Sequence, residues 1–247
     1  MKIFSIIEKK VKEGKKQFAV LIDPDKPSDD ELLSLIRESE NSNVDYFFVG
    51  GSLLTNDFFD RCISILKKNS SIPVVLFPGN TLQMSRKADA LLFLSLISGR
   101  NAEMLIGRHV IAAPYLKLNK LEVIPTGYML IDSGKTTTAS YMSNSIPIPS
   151  DKNDIALCTA VAGEMLGLKL IYMDAGSGAK STISNKMIES VKNNISVPLI
   201  IGGGIRTPEK AKEIAEAGAD IVVVGNILEK NSNLIQNISE AVHSLNF

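Results

Sequence analysis

Short, uninterrupted runs of apolar residues alternate with longer amphipathic segments along the chain, and this order predicts strands separated by helices. Most of the apolar runs contain no alternating polar positions. That pattern is typical of parallel strands that are buried on both faces. The predicted strands span residues 18–22, 46–49, 74–77, 90–94, 123–131, 170–173, 199–201 and 221–224.

Capping signals predict where two of the helices begin and end. Ser28 is followed three residues later by Glu31, which is the capping-box pattern. Thr207 is expected to cap another helix, with Pro208 at its first position and Gly218 at its end. Both helices lie between predicted strands, so the chain follows a repeating strand–helix order.

Two connections depart from this order. Residues 79–87 are too few and too polar to predict a helix, so we expect an irregular crossover between the third and fourth strands. Residues 133–153 form a long segment rich in Ser, Thr, Asn and Pro, in which no regular element is predicted. Long loops of this kind are usually functional or disordered, and this one follows the end of the fifth strand.

Eight strands alternating with helices predict an α/β fold, a single (β/α)8 TIM barrel over residues 1–247 with an irregular third crossover. The chain has 247 residues, 45% of them hydrophobic, which is enough for one large core. No linker or shift in composition divides it. An open, doubly wound sheet with helices on both faces is the alternative architecture.

Composition excludes several classes of function. Lys plus Arg and Asp plus Glu total 27 each, so no basic field suggests a nucleic-acid partner. The amphipathic N-terminus lacks the apolar core of a signal peptide, and no apolar run is long enough to span a bilayer. We therefore expect a cytoplasmic protein that meets a membrane surface only through its substrate or product. Cys62 and Cys158 have no disulfide or metal-ligand spacing and are expected to be buried thiols.

Glycine loops after the last two strands are the strongest sign of a ligand. Gly203 and Gly204 follow the seventh strand, and Gly225 and Asn226 follow the eighth. Loops after these two strands hold phosphate in many barrels, because glycine lets backbone N–H groups approach an oxyanion. We also expect Asn226 to cap a short helix, with Glu229 as its capping-box partner. The alternative is that these glycines only make tight turns.

A third loop, after the sixth strand, combines a carboxylate with small residues. Gly176, Ser177 and Gly178 offer N–H and hydroxyl donors to a phosphate. Asp174 would repel a phosphate, so we expect it to face a substrate hydroxyl instead. An ordinary turn is the alternative interpretation.

A candidate cation site lies at the ends of the first two strands. Asp23 follows the first strand, and Ser52 follows the second after two glycines. Mg²⁺ needs only one or two protein carboxylates when water and substrate phosphate complete its coordination. Turn and helix-capping chemistry is the alternative for Asp23, since Asp-Pro is common in turns. His109 and His243 are isolated in the sequence and belong to no metal-ligand or Ser-His-Asp pattern.

Taken together, these segments resemble the geranylgeranylglyceryl phosphate synthases, a family that includes the bacterial heptaprenylglyceryl phosphate synthases. The glycine loops are shared by many phosphate-binding barrels, whereas the first-strand, Gly-Gly-Ser and Pro-Thr-Gly-Tyr segments are more specific. The matching segments, spread over most of the chain, are residues 21–26, 49–52, 124–128, 172–178, 202–206 and 224–226.

The resemblance implies Mg²⁺-dependent transfer of a polyprenyl group from a prenyl diphosphate such as geranylgeranyl diphosphate to the free hydroxyl of sn-glycerol 1-phosphate. It implies Asp23 and Ser52 as the magnesium positions. We expect Asp174 to orient the acceptor hydroxyl and to accept its proton. Asp174 stands where many relatives carry Glu, and Leu21 stands where some carry Lys, so we assign no phosphate-binding Lys there. The implied glycerol phosphate positions are Tyr172, Met173, Asp174, Ala175, Gly176, Ser177, Gly178, Gly203, Gly204, Gly225 and Asn226.

A prenyl chain also requires an apolar groove, for which we expect a lining of Leu92, Phe93, Tyr115 and Leu116. The length of the chain that the groove accepts is left open, and the resemblance suggests a homo-oligomer, either a dimer or a larger assembly. Two other functions remain possible at this stage: an isomerase or lyase acting on a phosphorylated metabolite, and a non-catalytic sensor of such a metabolite.

Overall fold

Residues 2–246, which the computed structural model describes, form a closed barrel of eight parallel strands in sequence order. The strands are β1 Gln17–Ile22, β2 Tyr46–Val49, β3 Val74–Leu76, β4 Ala90–Leu96, β5 Glu122–Leu130, β6 Leu170–Asp174, β7 Leu199–Gly202 and β8 Ile221–Val224. The helices are α1 Ile3–Lys12, α2 Asp29–Asn41, α3 Phe59–Asn69, α4 Arg108–Asn119, α5 Thr138–Ser143, α6 Asn153–Met165, α7 Asn185–Lys192, α8 Pro208–Glu216, α9 Asn226–Lys230 and α10 Leu234–His243. A π-helical segment, Glu103–Gly107, directly precedes α4.

The pairing of the first and last strands closes the barrel and confirms the predicted fold class over the open sheet. Val20 of β1 lies opposite Val224 of β8 in parallel register. Two apolar layers hold the ring together: an inner cluster that includes Phe48, and an outer one between strands and helices that includes Phe47. Because neighbouring residues of a strand point to opposite faces, each continuous apolar run supplies both layers.

The caps predicted at Ser28 and Thr207 are present. The Ser28 hydroxyl accepts from the Glu31 N–H, and the Glu31 carboxylate accepts from the Ser28 N–H at 2.8 Å. The Thr207 hydroxyl accepts from the backbone N–H of the residue three positions on, and Pro208 begins α8. Gly218, which follows α8, has φ +122°, a left-handed conformation that favours glycine.

The two irregular connections differ from each other. Between β3 and β4 the described residues contain no helix, as predicted. Residues 133–153, called the lid segment below, do contain one: α5 begins with a capping box at Thr137, and Ile148 forms a β-bridge with Ile131. The prediction of a loop without regular elements was therefore wrong here, because a six-residue helix is too short to show a hydrophobic periodicity.

The two cysteines also differ. Cys62 is buried, and burial is the main reason why its pKa is raised to about 12. Cys158 is exposed on α6, so the prediction that it is buried was wrong. The outer side of α6 is itself apolar, so apolar neighbours in the sequence do not identify the buried face. No helix within residues 2–246 combines the length and the apolar character needed to cross a membrane.

Carboxylates hold the amino-terminal end of the barrel together. Three Asp residues each stand directly before a strand. The carboxylate of each accepts a hydrogen bond, at 2.7–2.8 Å, from a backbone N–H near the start of the strand that comes one earlier in the chain. The pairs are Asp45 with Phe18, Asp89 with Val74, and Asp220 with Leu199. A lysine joins each carboxylate; these are Lys10, Lys67 and Lys192 respectively. Helix α1 covers this end, and its first N–H groups donate to Glu122.

Candidate active site

A polar cavity opens at the carboxyl ends of the strands. Parallel strands of a barrel end at the same face, so the loops that follow them surround one space. Residues from β1, β2, β5, β6, β7 and β8 or their following loops line it, together with Phe77 directly after β3. The predicted residues that line this cavity are Asp23, Ser52, Tyr172, Asp174, Gly176, Ser177, Gly178, Gly203, Gly204, Gly225 and Asn226.

Met173 and Ala175 are the predicted residues that the structure does not bring into the cavity. Both are buried in the outer apolar layer, on the side of β6 that faces the helices. Tyr172 and Asp174 point the other way because successive strand residues alternate between faces. An unbroken assignment of residues 172–178 to the ligand therefore included two side chains that serve packing.

The three glycine loops meet on one side of the polar cavity. Gly203 has φ +87°, and a Cβ there would lie 2.7 Å from the Asp174 carboxylate and from the Gly176 nitrogen. Only glycine fits this close approach of the β6 and β7 loops. Asn226 reaches across from the eighth strand, and its Nδ2 donates to the Ser177 hydroxyl at 2.9 Å. The arrangement is a concave surface of small residues and backbone, suited to an oxyanion.

The predicted capping role of Asn226 was wrong. Gly225 occupies the capping position of α9, and Asn226 is the first helical residue. The Asn226 side chain instead engages Ser177 and accepts a hydrogen bond from Lys26 Nζ at 3.0 Å. Glu229 does not complete a capping box, because its carboxylate pairs with Lys26 at 3.1 Å. Burial raises the pKa of Glu229 despite this lysine.

Asp174 is the buried carboxylate of the cavity. The Tyr128 hydroxyl donates to its Oδ2 at 2.6 Å, and the Gly176 N–H donates to its Oδ1 at 2.7 Å. Burial raises the pKa of Asp174, while these two hydrogen bonds act in the opposite direction. A carboxylate held in this way can accept a proton from a bound hydroxyl more readily than an exposed one.

Three aromatic rings pack against one another at the base of the cavity beside this carboxylate. Phe77 stacks on Tyr172 with ring centroids 5.0 Å apart, and Tyr128 packs edge-on to Tyr172 at 5.5 Å. Burial, together with the nearby Asp174 carboxylate, holds the pKa of both tyrosines well above the usual range. Both hydroxyls therefore remain protonated donors. Tyr128 was not predicted as a site residue; its position opposite Tyr172 in the β5–β6 register is what brings it here.

Asp23 and Ser52 line the part of the cavity at the ends of β1 and β2, next to the β8 loop. Gly51 packs so closely that a Cβ on it would lie 3.2 Å from Asp23 Oδ1. Lys26 Nζ lies 3.4 Å from Asp23 Oδ2 and was not predicted; it follows Asp23 by three residues in the Asp-Pro-Asp-Lys segment. No group of three or more His, Cys, Asp and Glu side chains in the described part of the chain is arranged to hold a metal. One carboxylate with an adjacent hydroxyl fits Mg²⁺ that is coordinated mainly by substrate phosphate and water.

A second, largely apolar cavity adjoins the first. It runs between β4, α4 and the irregular crossover, where the absence of a helix leaves room beside the barrel wall. Of the predicted groove residues, Leu92, Phe93 and Leu116 line it, whereas Tyr115 does not. The two cavities meet at Ser52, Phe77, Tyr128 and Ala139, which line both.

The lid segment touches both cavities. Its Thr137 packs on Gly176, where a Cβ would lie 2.6 Å from the Thr137 methyl carbon. The Ser181 hydroxyl donates to the Ser133 carbonyl at 3.3 Å, which further ties the segment to the β6 loop. Ala139 and Met142 of α5 line the apolar cavity. The lid segment therefore lies over the place where the two cavities join.

The two histidines lie apart from the polar cavity. His109 lines the apolar cavity, packs edge-on against Phe93 at 4.2 Å, and has its pKa lowered mainly by burial. His243 Nε2 lies 2.8 Å from Asp45 at the amino-terminal end of the barrel. Neither is placed to act on a ligand bound by the glycine loops.

The site and the fold have counterparts in known proteins. The PcrB family matches residues 9–242 of the chain. The geranylgeranylglyceryl phosphate synthase of Chitinophaga pinensis is 55% identical over 240 residues, 97% of this chain and 95% of that protein. The protein of the same name from Korarchaeum cryptofilum is 38% identical over 241 residues, 98% and 99% of the two chains.

A solved structure extends this likeness to three dimensions. The crystal structure of (S)-3-O-geranylgeranylglyceryl phosphate synthase from Thermoplasma acidophilum, in complex with its substrate sn-glycerol-1-phosphate, superposes with a TM-score of 0.93 at 35% identity and covers 99% of each chain. The tryptophan synthase alpha subunit of Legionella pneumophila, at 16% identity and a TM-score of 0.60, shares the fold alone. The chain therefore belongs to the PcrB family, with the geranylgeranylglyceryl phosphate synthases, and is a prenyltransferase.

Proposed function

We propose that the protein transfers a polyprenyl group from a prenyl diphosphate to the free hydroxyl of sn-glycerol 1-phosphate, with Mg²⁺ as cofactor. One observation carries this proposal: a polar cavity edged by glycine loops meets an apolar cavity beside the Tyr128–Asp174 pair. A phosphorylated acceptor and a hydrocarbon donor need these two environments side by side. The glycerol phosphate bound to the Thermoplasma acidophilum relative supports the choice of acceptor.

The acceptor phosphate would lie against the three glycine loops. Backbone N–H groups around Gly203, Gly204 and Gly225 can approach an oxyanion without a side chain between them, and the Ser177 hydroxyl adds a donor. Arg206, another residue of the cavity wall, supplies positive charge. This placement brings the glycerol hydroxyl toward Asp174, which lies between the loops and the aromatic base.

Asp174 would then act as the general base. As the hydroxyl oxygen forms a bond to the first carbon of the prenyl group, the bond from that carbon to the diphosphate oxygen breaks. The hydroxyl proton passes to Asp174, and the diphosphate leaves with the bonding electron pair. The hydrogen bond from Tyr128 fixes the orientation of the carboxylate throughout, leaving Oδ1 toward the Gly176 side.

Asp23 and Ser52 would hold the magnesium ion with the diphosphate of the donor. When bound, Mg²⁺ neutralises the charge that develops on a leaving diphosphate. Lys26, which pairs with Asp23, adds a second positive charge on this side of the cavity. The acceptor phosphate at the β6, β7 and β8 loops and the donor diphosphate at β1 and β2 would thus occupy neighbouring parts of the barrel mouth, with Lys26 between them.

The apolar cavity would take the prenyl chain. Leu92, Phe93 and Leu116 line it, and the lid segment covers its junction with the polar cavity. Excluding water matters here because an allylic cation reacts with any nearby nucleophile.

The activity is tested directly with purified protein, Mg²⁺, sn-glycerol 1-phosphate and prenyl diphosphates of several chain lengths. We expect a prenylglyceryl phosphate, identified by mass spectrometry, and its loss when Mg²⁺ is chelated. No prenyl ether from any donor would overturn the proposal, and full activity without a divalent cation would remove Mg²⁺ from it.

We further propose that the protein works in the cytoplasm as a homo-oligomer. Exposed apolar side chains on α4 and α6 support this: Leu118 is 82% exposed, and Met165 is 83% exposed. Large exposed apolar surfaces often mark contacts between proteins. Light scattering should give a mass that is a multiple of the 26.8 kDa chain, and Leu118→Glu should lower it; a monomer would contradict the proposal.

A further inference from the structure

A buried glutamine lies under the diphosphate side of the cavity. Gln83 belongs to the irregular crossover between β3 and β4, and its side chain is completely buried although it is polar. It lines neither the polar nor the apolar cavity. A buried amide needs its donors and acceptors paired, so the partners of Gln83 show what holds it in this position.

The Gln83 amide joins two loops. Its Oε1 accepts from the N–H groups of Gly51 and Gly79, each at 3.1 Å, and its Nε2 donates to the Gly51 carbonyl at 2.7 Å. This set of partners fixes the orientation of the amide, because a flipped group would place Nε2 against two N–H donors. Gly51 follows β2, and Gly79 follows β3.

The two loops are in direct contact at this point. A Cβ on Gly79 would lie 2.2 Å from the Gly51 carbonyl oxygen, and a Cβ on Gly51 would lie 3.2 Å from Asp23 Oδ1. The Gly51 backbone is thus packed between the crossover and the Asp23 carboxylate. Ser52, the next residue, lies at the junction of the two cavities. Any shift of Gly51 would move Ser52 relative to Asp23.

We propose that Gln83 is a positioning residue for the diphosphate of the prenyl donor, acting through Gly51 and Ser52. This rests on the function proposed above, which puts the Mg²⁺-bound diphosphate at Asp23 and Ser52. Among the described residues, the Gln83 side chain makes no hydrogen bond to the three glycine loops that would hold the acceptor phosphate. Its effect is therefore confined to one of the two substrates.

Two substitutions separate this role from general packing. Gln83→Leu removes all three hydrogen bonds while keeping a similar volume, so two buried N–H groups lose their partner. Gln83→Glu keeps an acceptor for both N–H groups but places an oxygen against the Gly51 carbonyl. Ser85→Ala is the matched control, because Ser85 is buried in the same crossover and its hydroxyl accepts only from the nearby Lys87 N–H.

The experiment measures binding without turnover. Isothermal titration gives the affinities for inorganic diphosphate with Mg²⁺ and, separately, for sn-glycerol 1-phosphate, and thermal unfolding reports on stability. For Gln83→Leu we expect Mg²⁺–diphosphate affinity to fall about tenfold or more, the size typical for residues that orient a metal ligand. The affinity of Gln83→Leu for sn-glycerol 1-phosphate should stay unchanged. The Mg²⁺–diphosphate affinity of Gln83→Glu should lie between those of Gln83→Leu and the wild type. Ser85→Ala should have the same affinities as the wild type.

Equal affinity of the wild type and both Gln83 variants for Mg²⁺–diphosphate would overturn the inference. So would a parallel loss of affinity for both ligands, since that would be a structural effect. If Gln83→Leu does not fold, the affinities of Gln83→Glu for Mg²⁺–diphosphate and for sn-glycerol 1-phosphate test the inference in its place. A wild type that forms no prenyl ether, but whose selective diphosphate affinity depends on Gln83, would overturn the proposed function and keep this inference.

Discussion

Asp174 illustrates how neighbouring groups set the properties of a single carboxylate. Burial raises its pKa, and hydrogen bonds from Tyr128 and Gly176 lower it again. The net effect is a raised pKa, so the carboxylate binds a proton more readily than an exposed Asp does. Its two oxygens have different partners, which leaves the carboxylate one fixed orientation.

Removing the base should therefore abolish most of the turnover. Asp174→Asn keeps the size of the side chain and should lower kcat by about 10²-fold or more, the usual contribution of a general base. Tyr128→Phe removes a hydrogen bond that lowers the pKa of Asp174, so that pKa should rise further. Activity that needs the ionised carboxylate should then be lost at a higher pH, which the acidic limb of the kcat/KM profile measures.

The exposed lid residue Tyr141 provides the matched control for this experiment. Tyr141→Phe should leave the pH profile unchanged. A Tyr128→Phe profile identical to that of the wild type would contradict the role assigned to the hydrogen bond.

Asp23 can be tested against its neighbour Asp25. Asp23→Asn should raise the Mg²⁺ concentration needed for half-maximal activity by about 10- to 100-fold, because it removes the carboxylate that would hold the ion. Asp25 accepts hydrogen bonds from Thr55 and does not line the cavity, so Asp25→Asn should leave this concentration unchanged. The same response in both variants would remove Asp23 from the metal role. Titration of activity with Mg²⁺ provides the measurement.

At the scale of elements, local sequence signals predicted most of the architecture. The strands were predicted because burial on both faces requires continuous apolar runs, and the helices at Ser28 and Thr207 because their caps involve residues only three positions apart. The helix α5 was missed because six residues are too few to show a helical periodicity. Cys158 was misplaced because both faces of α6 are apolar.

Some residues of the candidate site could be recognised from local sequence signals, and others could not. The glycine loops and Asp23 could be recognised because each stands directly after a predicted strand. Tyr128, Lys26 and Gln83 could not, because their contacts depend on register and on loops that are far apart in the sequence. Asn226 was recognised as a cavity residue, but its predicted cap did not form because Ser177 and Lys26 bind its side chain.

Helix α4 lines the apolar cavity, whereas the irregular crossover beside it contributes no helix. The depth of the cavity therefore depends on the side chains of α4. Ala112 of α4 is buried and lines this cavity, whereas Ala113 is exposed beside it. Ala112→Phe should fill part of the cavity and shift preference toward shorter prenyl diphosphates, lowering kcat/KM for the longest accepted donor by about tenfold. A loss of one or two methylene contacts in an apolar pocket already has an effect of about this size.

Ala113→Phe adds the same side chain outside the cavity and should not alter the preference. Competition between donors of different length, resolved by mass spectrometry, measures the change. An unchanged preference in Ala112→Phe would show that the prenyl chain does not extend along α4.

At the scale of the whole molecule, the two ends of the barrel use carboxylates differently. At the amino-terminal end, Asp45, Asp89 and Asp220 each join two strands and pair with a lysine. At the carboxyl end, Asp23 and Asp174 face a cavity. The carboxylates that stabilise the fold and those that line the cavity therefore lie at opposite ends of the barrel, as is usual in barrels of this type.

This division predicts the pH dependence of stability. Burial disfavours ionisation of Asp45, but hydrogen bonds from His243, Lys10 and the Phe18 N–H outweigh it and lower the pKa of Asp45. A lowered pKa contributes stability above the unfolded value of about 3.9, which is lost as the pH falls through the folded value. Asp45→Asn should cost about 2 kcal/mol at pH 7, and less as the pH falls below about 4.

Urea unfolding of the wild type and the variant over this pH range measures the difference. Asp57→Asn is the control, since Asp57 is exposed and makes no side-chain hydrogen bond or ion pair among the described residues. A cost of Asp45→Asn that is the same at pH 7 and pH 3 would contradict the assignment to ionisation.

The junction of the two cavities also has a kinetic consequence. Each substrate of the proposed reaction occupies one cavity, but the product occupies both, since its phosphate and its hydrocarbon tail are then parts of one molecule. Two linked attachments make the product the most slowly dissociating species on the enzyme, because either end can rebind before the other lets go. Release of the product, rather than formation of the ether bond, would then limit kcat. A membrane that takes up the prenyl tail would therefore increase kcat.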